Sequence, residues 1–209
     1  MVEWGTLAAY VAIVLGFVFI PGPATLLTVA RATTSGTLVG FATGAGIAVG
    51  DLMHTAMAIV GLSAIIATSA VLFGAIKYLG AAYLLYLGVR ALMARQPEAA
   101  TRAPTAPIGA GRAIRQAVLA EMLNPKTALF FLAFLPQFVD PAAGAVAFQL
   151  SVLGGVFVAL GLLSTVVFAV SAAGLGAFLR RHPVVLKWQG RVVGAIFCGL
   201  GVRLALQER

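Results

Sequence analysis

The apolar positions of this chain run in long unbroken blocks, without the period-two alternation of a half-buried strand or a barrel wall. The blocks predict six helices, at about Thr6–Ala30, Thr37–Thr68, Val71–Met93, Arg112–Val139, Ala145–Leu179 and Trp188–Leu206. Roughly 20 apolar residues cross a bilayer core. The fifth block is longer than that, so tilt or a break at its glycines is expected. Between the third and fourth blocks, Ala94–Gly111 carries Pro97, Pro104, Pro107, Glu98 and two arginines, which predicts an exposed linker. The expected architecture is an all-α membrane protein with one transmembrane domain over residues 1–209. Its two halves would be residues 1–93 and 112–209, joined by a cytoplasmic linker over 94–111.

Composition agrees. Of 209 residues, 61% are apolar and only 10% charged, against roughly a quarter in a soluble domain. So few charges cannot coat a globule of this size, which excludes an ordinary cytosolic enzyme, a disordered chain and a coiled coil. The formal charge of +8 would point to nucleic acid in a soluble protein. Here ten of the fourteen basic residues collect at one side of the predicted helices: Arg31, then Arg90 to Arg115, then Arg180 to Arg191. That asymmetry orients both termini toward the periplasm and assigns no nucleic-acid partner. The opening Met1-Val2-Glu3-Trp4 lacks a basic start, so the first block is expected to be a retained span rather than a signal peptide. The lone Cys198 can form neither an internal disulfide nor a metal site by itself.

The halves echo one another. Lys77, Gly80 and Tyr83 match Arg191, Gly194 and Phe197 at a constant offset, and Gly44 and Gly50 share their spacing with Gly155 and Gly161. Pro21-Gly22-Pro23 falls in the first helix of one half and Asn124-Pro125 in the first helix of the other. A duplicated unit of three spans must insert upside down, which predicts two inverted three-helix repeats, as in many secondary transporters.

The two proline motifs are the strongest chemical signal. Pro21 and Pro23 remove the donors for the carbonyls of Phe17 and Phe19, and Gly22 lets the chain leave helical geometry. Pro125 does the same to the carbonyl of Glu121, and Asn124 is placed to cap the half-helix that follows. Helices 1 and 4 are thus expected to be broken within the membrane, where the loose backbone must meet protein, water or ligand. Half-helix N-termini suit a carboxylate, and freed carbonyls with Asp51 or Glu121 suit an ammonium group or a proton. Both poles in one pocket describe a small zwitterion. The expected substrate site is Phe17, Phe19, Pro21, Gly22, Pro23, Glu121, Asn124 and Pro125.

Asp51 and His54 share a helix face with Gly40 and Gly44, members of a small-residue ladder running Gly36, Gly40, Gly44, Ala48. That face should turn into the bundle, and ionisable groups at such depth are usually functional. Asp51, His54 and Glu121 are the candidates for proton coupling. Lys126 either pairs with Glu121 or Asp51 or snorkels to the interface. Phe130, Phe131, Phe134 and Phe138 read first as packing and second as a gate. No phosphate-binding loop, paired-cysteine motif, catalytic triad or zinc-protease motif occurs, so neither an enzyme nor a cofactor or metal is expected.

The run Gly44-x-Gly46-x3-Gly50-x3-His54, the block from Lys77 to Gly88 and the stretch Leu123-Asn124-Pro125-Lys126-Thr127-Ala128-Leu129-Phe130-Phe131 join Pro21-Gly22-Pro23 in a fixed order. Together they make the chain resemble the LysE/RhtB group of bacterial amino-acid exporters over almost its whole length. The resemblance implies six helices in the inner membrane and export of amino acids or small derivatives driven by proton antiport. The position of Glu121 is more often asparagine in that group, which adds an acid to the expected pocket. Partners are then the substrate, protons and the bilayer, with a homodimer left open. A divalent-cation or other small-metabolite exporter of the same superfamily is the alternative.

Overall fold

The computed structural model describes residues 2–20, 22–68, 70–93, 106–181 and 183–206. These form eight α-helices and no strand: α1 (Trp4–Phe19), α2 (Pro23–Ser35), α3 (Thr37–Thr68), α4 (Ala70–Met93), α5 (Ala110–Met122), α6 (Pro125–Leu129), α7 (Val146–Arg181) and α8 (Pro183–Leu206). The second expected helix matches α3 residue for residue, and the third is α4 with one residue more. The last starts earlier than expected, with Pro183 in the first turn, where a missing N–H costs nothing.

Two expectations need refinement. The first and fourth blocks are each broken, as the prolines imply, but into separate helices. α1 and α2 meet at 50°, and α5 meets the segment after Pro125 at 45°. Beyond α6 the chain passes through a π turn (Phe130–Phe134) and a 3-10 turn (Leu135–Phe138), with Pro136 denying the α ladder one donor. The fifth block, by contrast, is not broken at its glycines: α7 runs unbroken over 36 residues. Gly154 lies against Thr55, so its missing side chain serves close packing rather than a bend. Pro21 and most of the expected linker, residues 94–105, lie outside the described residues.

Among the described residues, Thr37–Ile65 and Val146–Gly174 are each long and apolar enough to cross a membrane, and each bent pair qualifies as one further span. α3 is the hub. It packs along α7 and α5 and against α2, while α4 packs along α8. Glycines make these approaches close. A Cβ on Gly40 would strike Ala32 and Ala169, one on Gly44 would strike Thr165, and ones on Gly46 and Gly50 would strike α5 at the Ile114 carbonyl and Glu121. Gly36 belongs to no such contact. It turns the chain between α2 and α3 at φ +92°, a conformation that side-chain-bearing residues avoid. Gly88, Gly194 and Gly201 close the α4–α8 seam.

The core is aromatic. Phe130, Phe131 and Phe134 are buried with Tyr10, Phe17, Phe157 and Phe197. Phe130 sits 4.7 Å, ring centre to ring centre, from both Phe17 and Phe157. The Tyr10 hydroxyl donates to the Leu153 carbonyl at 2.9 Å, tying α1 to α7. In the first turn of α7, buried Gln149 donates to the carbonyls of Asp140 and Gly144 and accepts from the Asp140 N–H, so one amide side chain ties down the loop ahead of that helix.

Candidate functional site: a charged cavity between two helix breaks

The second break is built from its own side chains. The Asn124 Oδ1 accepts from the Lys126 N–H at 3.1 Å, an N-cap on α6. Its Nδ2 donates to both Glu121 oxygens, at 3.1 and 3.3 Å. The Thr127 hydroxyl also donates to Glu121 Oε1. Glu121 is therefore a buried carboxyl with fixed donors. Its backbone carbonyl, deprived of a partner by Pro125, accepts instead from the Asn124 N–H at 3.0 Å and from His54 Nε2 at 3.1 Å. A carbonyl only accepts, so Nε2 carries the proton there. The His54 ring stacks on Phe131.

The first break has no such side chains. Gly22 caps α2 with backbone alone, so the cap residue offers the first amides of that helix no side-chain hydrogen bond. Help comes from the other break. The Lys126 ammonium donates to the Phe17 carbonyl at 2.8 Å and to the Ile20 carbonyl at 3.3 Å, and it lies 4.1 Å from the centre of the Phe17 ring. Of the two readings left open by the sequence, snorkelling is not what occurs: the lysine turns inward, with Glu121 and Asp51 as neighbouring charges, and its hydrogen bonds go to carbonyls.

Both breaks open onto one cavity with about 410 Å³ of unfilled space, including its mouth. α1 and the first break supply Phe17, Val18, Gly22, Pro23, Ala24 and Thr25. α3 supplies Ile47 and Asp51, and the second break supplies Glu121, Asn124, Lys126 and Thr127. Phe157, Gly161, Ser164 and Thr165 of α7 close it. Asp51 is 3% exposed, its carboxyl faces that of Glu121, and its Oδ1 is buried without a hydrogen-bond partner. Room for that carboxyl comes from Gly161, where a Cβ would stand 3.2 Å from Oδ2.

The structure thus gathers Phe17, Gly22, Pro23, Asp51, Glu121 and Asn124 around one space. It sets three expected residues apart. Phe19 is half exposed and its ring meets Phe168. Pro125 is exposed and does not line the cavity, and His54 is buried behind it against Glu121. Asp51 and His54, neighbours on one face, do different things. Sequence reasoning missed the α7 wall and Thr127. A trace of the former was the spacing of Gly155 and Gly161, shared with Gly44 and Gly50; here Gly50 abuts Glu121 and Gly161 abuts Asp51.

Bent apolar helices that meet over a charged cavity fit a membrane transporter. The comparisons agree: the family model for the LysE type translocator matches residues 15–208, and the chain belongs to that family. It is 34% identical over 200 residues to the uncharacterized membrane protein PA4757 of Pseudomonas aeruginosa, covering 92% of each chain. It is 32% identical over 209 residues to the membrane protein YrhP of Bacillus subtilis, covering 96% of this chain and 99% of that one. The leucine efflux protein of Salmonella typhimurium is 28% identical over 205 residues, 97% of each. No solved structure matches.

Proposed function

We propose that the chain exports amino acids or small amino-acid derivatives across the bacterial inner membrane by proton antiport. The observation that carries this reading is the cavity that both helix breaks share with Asp51, Glu121 and Lys126. A zwitterion finds complementary poles there. The uncapped N-terminus of α2 presents free amides to a carboxylate. Asp51, with an unpartnered oxygen, stands ready for an ammonium group or a proton. Ile47, Val18 and Phe157 offer apolar wall to a substrate side chain. The efflux protein of Salmonella, named for leucine, supports an amino-acid cargo. In this reading Asp51 and Glu121 carry the coupling charge and His54 holds the second break in shape.

Alternating access follows from two inverted three-helix repeats, with α1–α2 equivalent to α5–α6, α3 to α7 and α4 to α8. Supporting this are the pairings themselves. α3 lies along α7 and α4 along α8, while α1 touches α7 as α5 touches α3, and α2 touches α7 as α6 touches α3, the pattern expected of a two-fold relation between halves. Both termini then face the periplasm. In a Cys198→Ala background, cysteines placed in the 94–105 segment should resist an impermeant thiol reagent applied to intact cells, and labelling there reverses the topology.

The function itself is tested in proteoliposomes loaded with a panel of amino acids. Acidifying the outside should accelerate release of the cognate substrate, and a protonophore should abolish the acceleration. Release that ignores the gradient for every panel member removes the antiport reading.

A further inference from the structure

The geometry points to Lys126 as a tethered occupant of an ammonium site: the carbonyls of Phe17 and Ile20, with the Phe17 ring, form a cage for a primary ammonium group, which the substrate's amine and the Lys126 amine occupy in turn. The inference rests on the transport reading above and names the part of the cavity that takes the amine.

Three observations carry it. The first is the chemistry of the cage. Two backbone carbonyls at 2.8 and 3.3 Å and an aromatic face at 4.1 Å are the partners that recognise a free alkylammonium, and here they hold a side-chain one. They exist because the helix stops at Phe19, which leaves these carbonyls without α-helical partners. The second is what Lys126 forgoes. Asp51 and Glu121 line the same cavity, yet the hydrogen bonds of Nζ go to neutral carbonyls. The third is the vacant acceptor. Asp51 Oδ1 is buried and unpartnered, while the oxygens of Glu121 are served by Asn124 and Thr127. An amine arriving at the cage releases Lys126, and a carboxylate oxygen without a partner is waiting for it.

The exchange also gives the cavity a way to avoid standing empty. With no substrate bound, the cage carbonyls remain satisfied, as buried backbone groups must be. With substrate bound, the cationic end of Lys126 turns to the unpartnered oxygen of the Asp51 carboxyl. Gly22 lies beside that path: a Cβ there would be at ordinary contact distance, 3.4 Å from Nζ and 3.5 Å from Cδ of Lys126.

The test uses methylammonium, the smallest primary alkylammonium, and needs no knowledge of the cargo. Full-length wild type and Lys126→Ala are melted in detergent in methylammonium chloride and in sodium chloride of equal concentration. The cage emptied by the alanine should take up methylammonium, raising the melting temperature of the variant over its sodium control by roughly 2–4 °C, the shift expected for weak ligand binding to a chain of this size. Wild type, its cage filled, should melt alike in both salts. Should Lys126→Ala fail to fold, Lys126→Met, whose stem still covers the Phe17 ring, is melted in the same two salts with the same expectation. Equal melting of the variant in both salts, or an equal methylammonium effect in wild type, overturns the cage. Gradient-driven flux in proteoliposomes is read separately, so a chain that transports but shows no selective methylammonium effect keeps its proposed function and loses only this inference.

Discussion

The two helix breaks look alike in sequence and are opposites in structure. At the second, Asn124 caps α6, Asn124 and Thr127 hold the Glu121 carboxyl, and His54 takes the freed carbonyl. At the first, Gly22 contributes backbone only, and the loose carbonyls of Phe17 and Ile20 depend on Lys126 from across the cavity. The difference teaches which break is scaffold and which is receptor. The second break meets its cap and its carboxyl from within and takes only the His54 ring, stacked on Phe131, for its freed carbonyl. The first rests on the end of a long lysine side chain, which can be exchanged.

Breaking this comparison starts with the group that belongs to neither break. Asp51→Asn keeps the shape of the buried side chain but not its charge. Gradient-driven flux should fall to background, more than about a hundredfold if coupling needs the carboxylate, while the melting temperature stays close to wild type. Near-normal flux would take Asp51 out of the coupling role.

Asn124→Ala attacks the self-sufficient break. It removes a helix cap, typically about 1 kcal/mol, and strips the buried Glu121 carboxyl of its amide donor, a further 1–3 kcal/mol or so. A marked drop in melting temperature is expected. If the drop is no larger than that of Gly22→Ala, the second break is not the scaffold.

His54→Gln separates a bracket from a proton carrier. Glutamine still donates to a carbonyl but does not titrate. As a bracket, His54 leaves flux and its pH profile nearly unchanged in this variant, at a stability cost of about 1 kcal/mol. Collapse of flux with the fold intact would restore His54 to proton coupling.

The smallest effects belong to the first break. Gly22→Ala adds a Cβ at ordinary contact distance from Lys126 and should cost about 0.5 kcal/mol or less. Pro23→Ala should be nearly silent for stability, because Pro23 occupies the first turn of α2, where its missing N–H has no intrahelical partner. A loss above about 2 kcal/mol for Pro23→Ala would mean that the proline, not the lysine, holds this break.

Much of the molecule was legible in its residues. Blocks of apolar residues located the helices because hydrocarbon tolerates few charges, and the prolines marked both breaks because they lack an N–H. Gly40 and Gly44 placed Asp51 and His54 inside the bundle, where they are. Tertiary structure decided the rest. Glycine spacing could not tell a bend from a packing contact, so of the tilt or break expected for the fifth block the break is absent from α7: Gly154 is small for the sake of Thr55. Nor could helix periodicity separate Asp51 from His54. The face they share is wider than one neighbour, so Gly161 receives the first and the Glu121 carbonyl the second. Above all, the direction of Lys126 is a long-range fact. A lysine beside a break can reach an interface, a carboxylate or a carbonyl. Which one it reaches depends on where a helix 106 residues earlier in the chain leaves its carbonyls without partners.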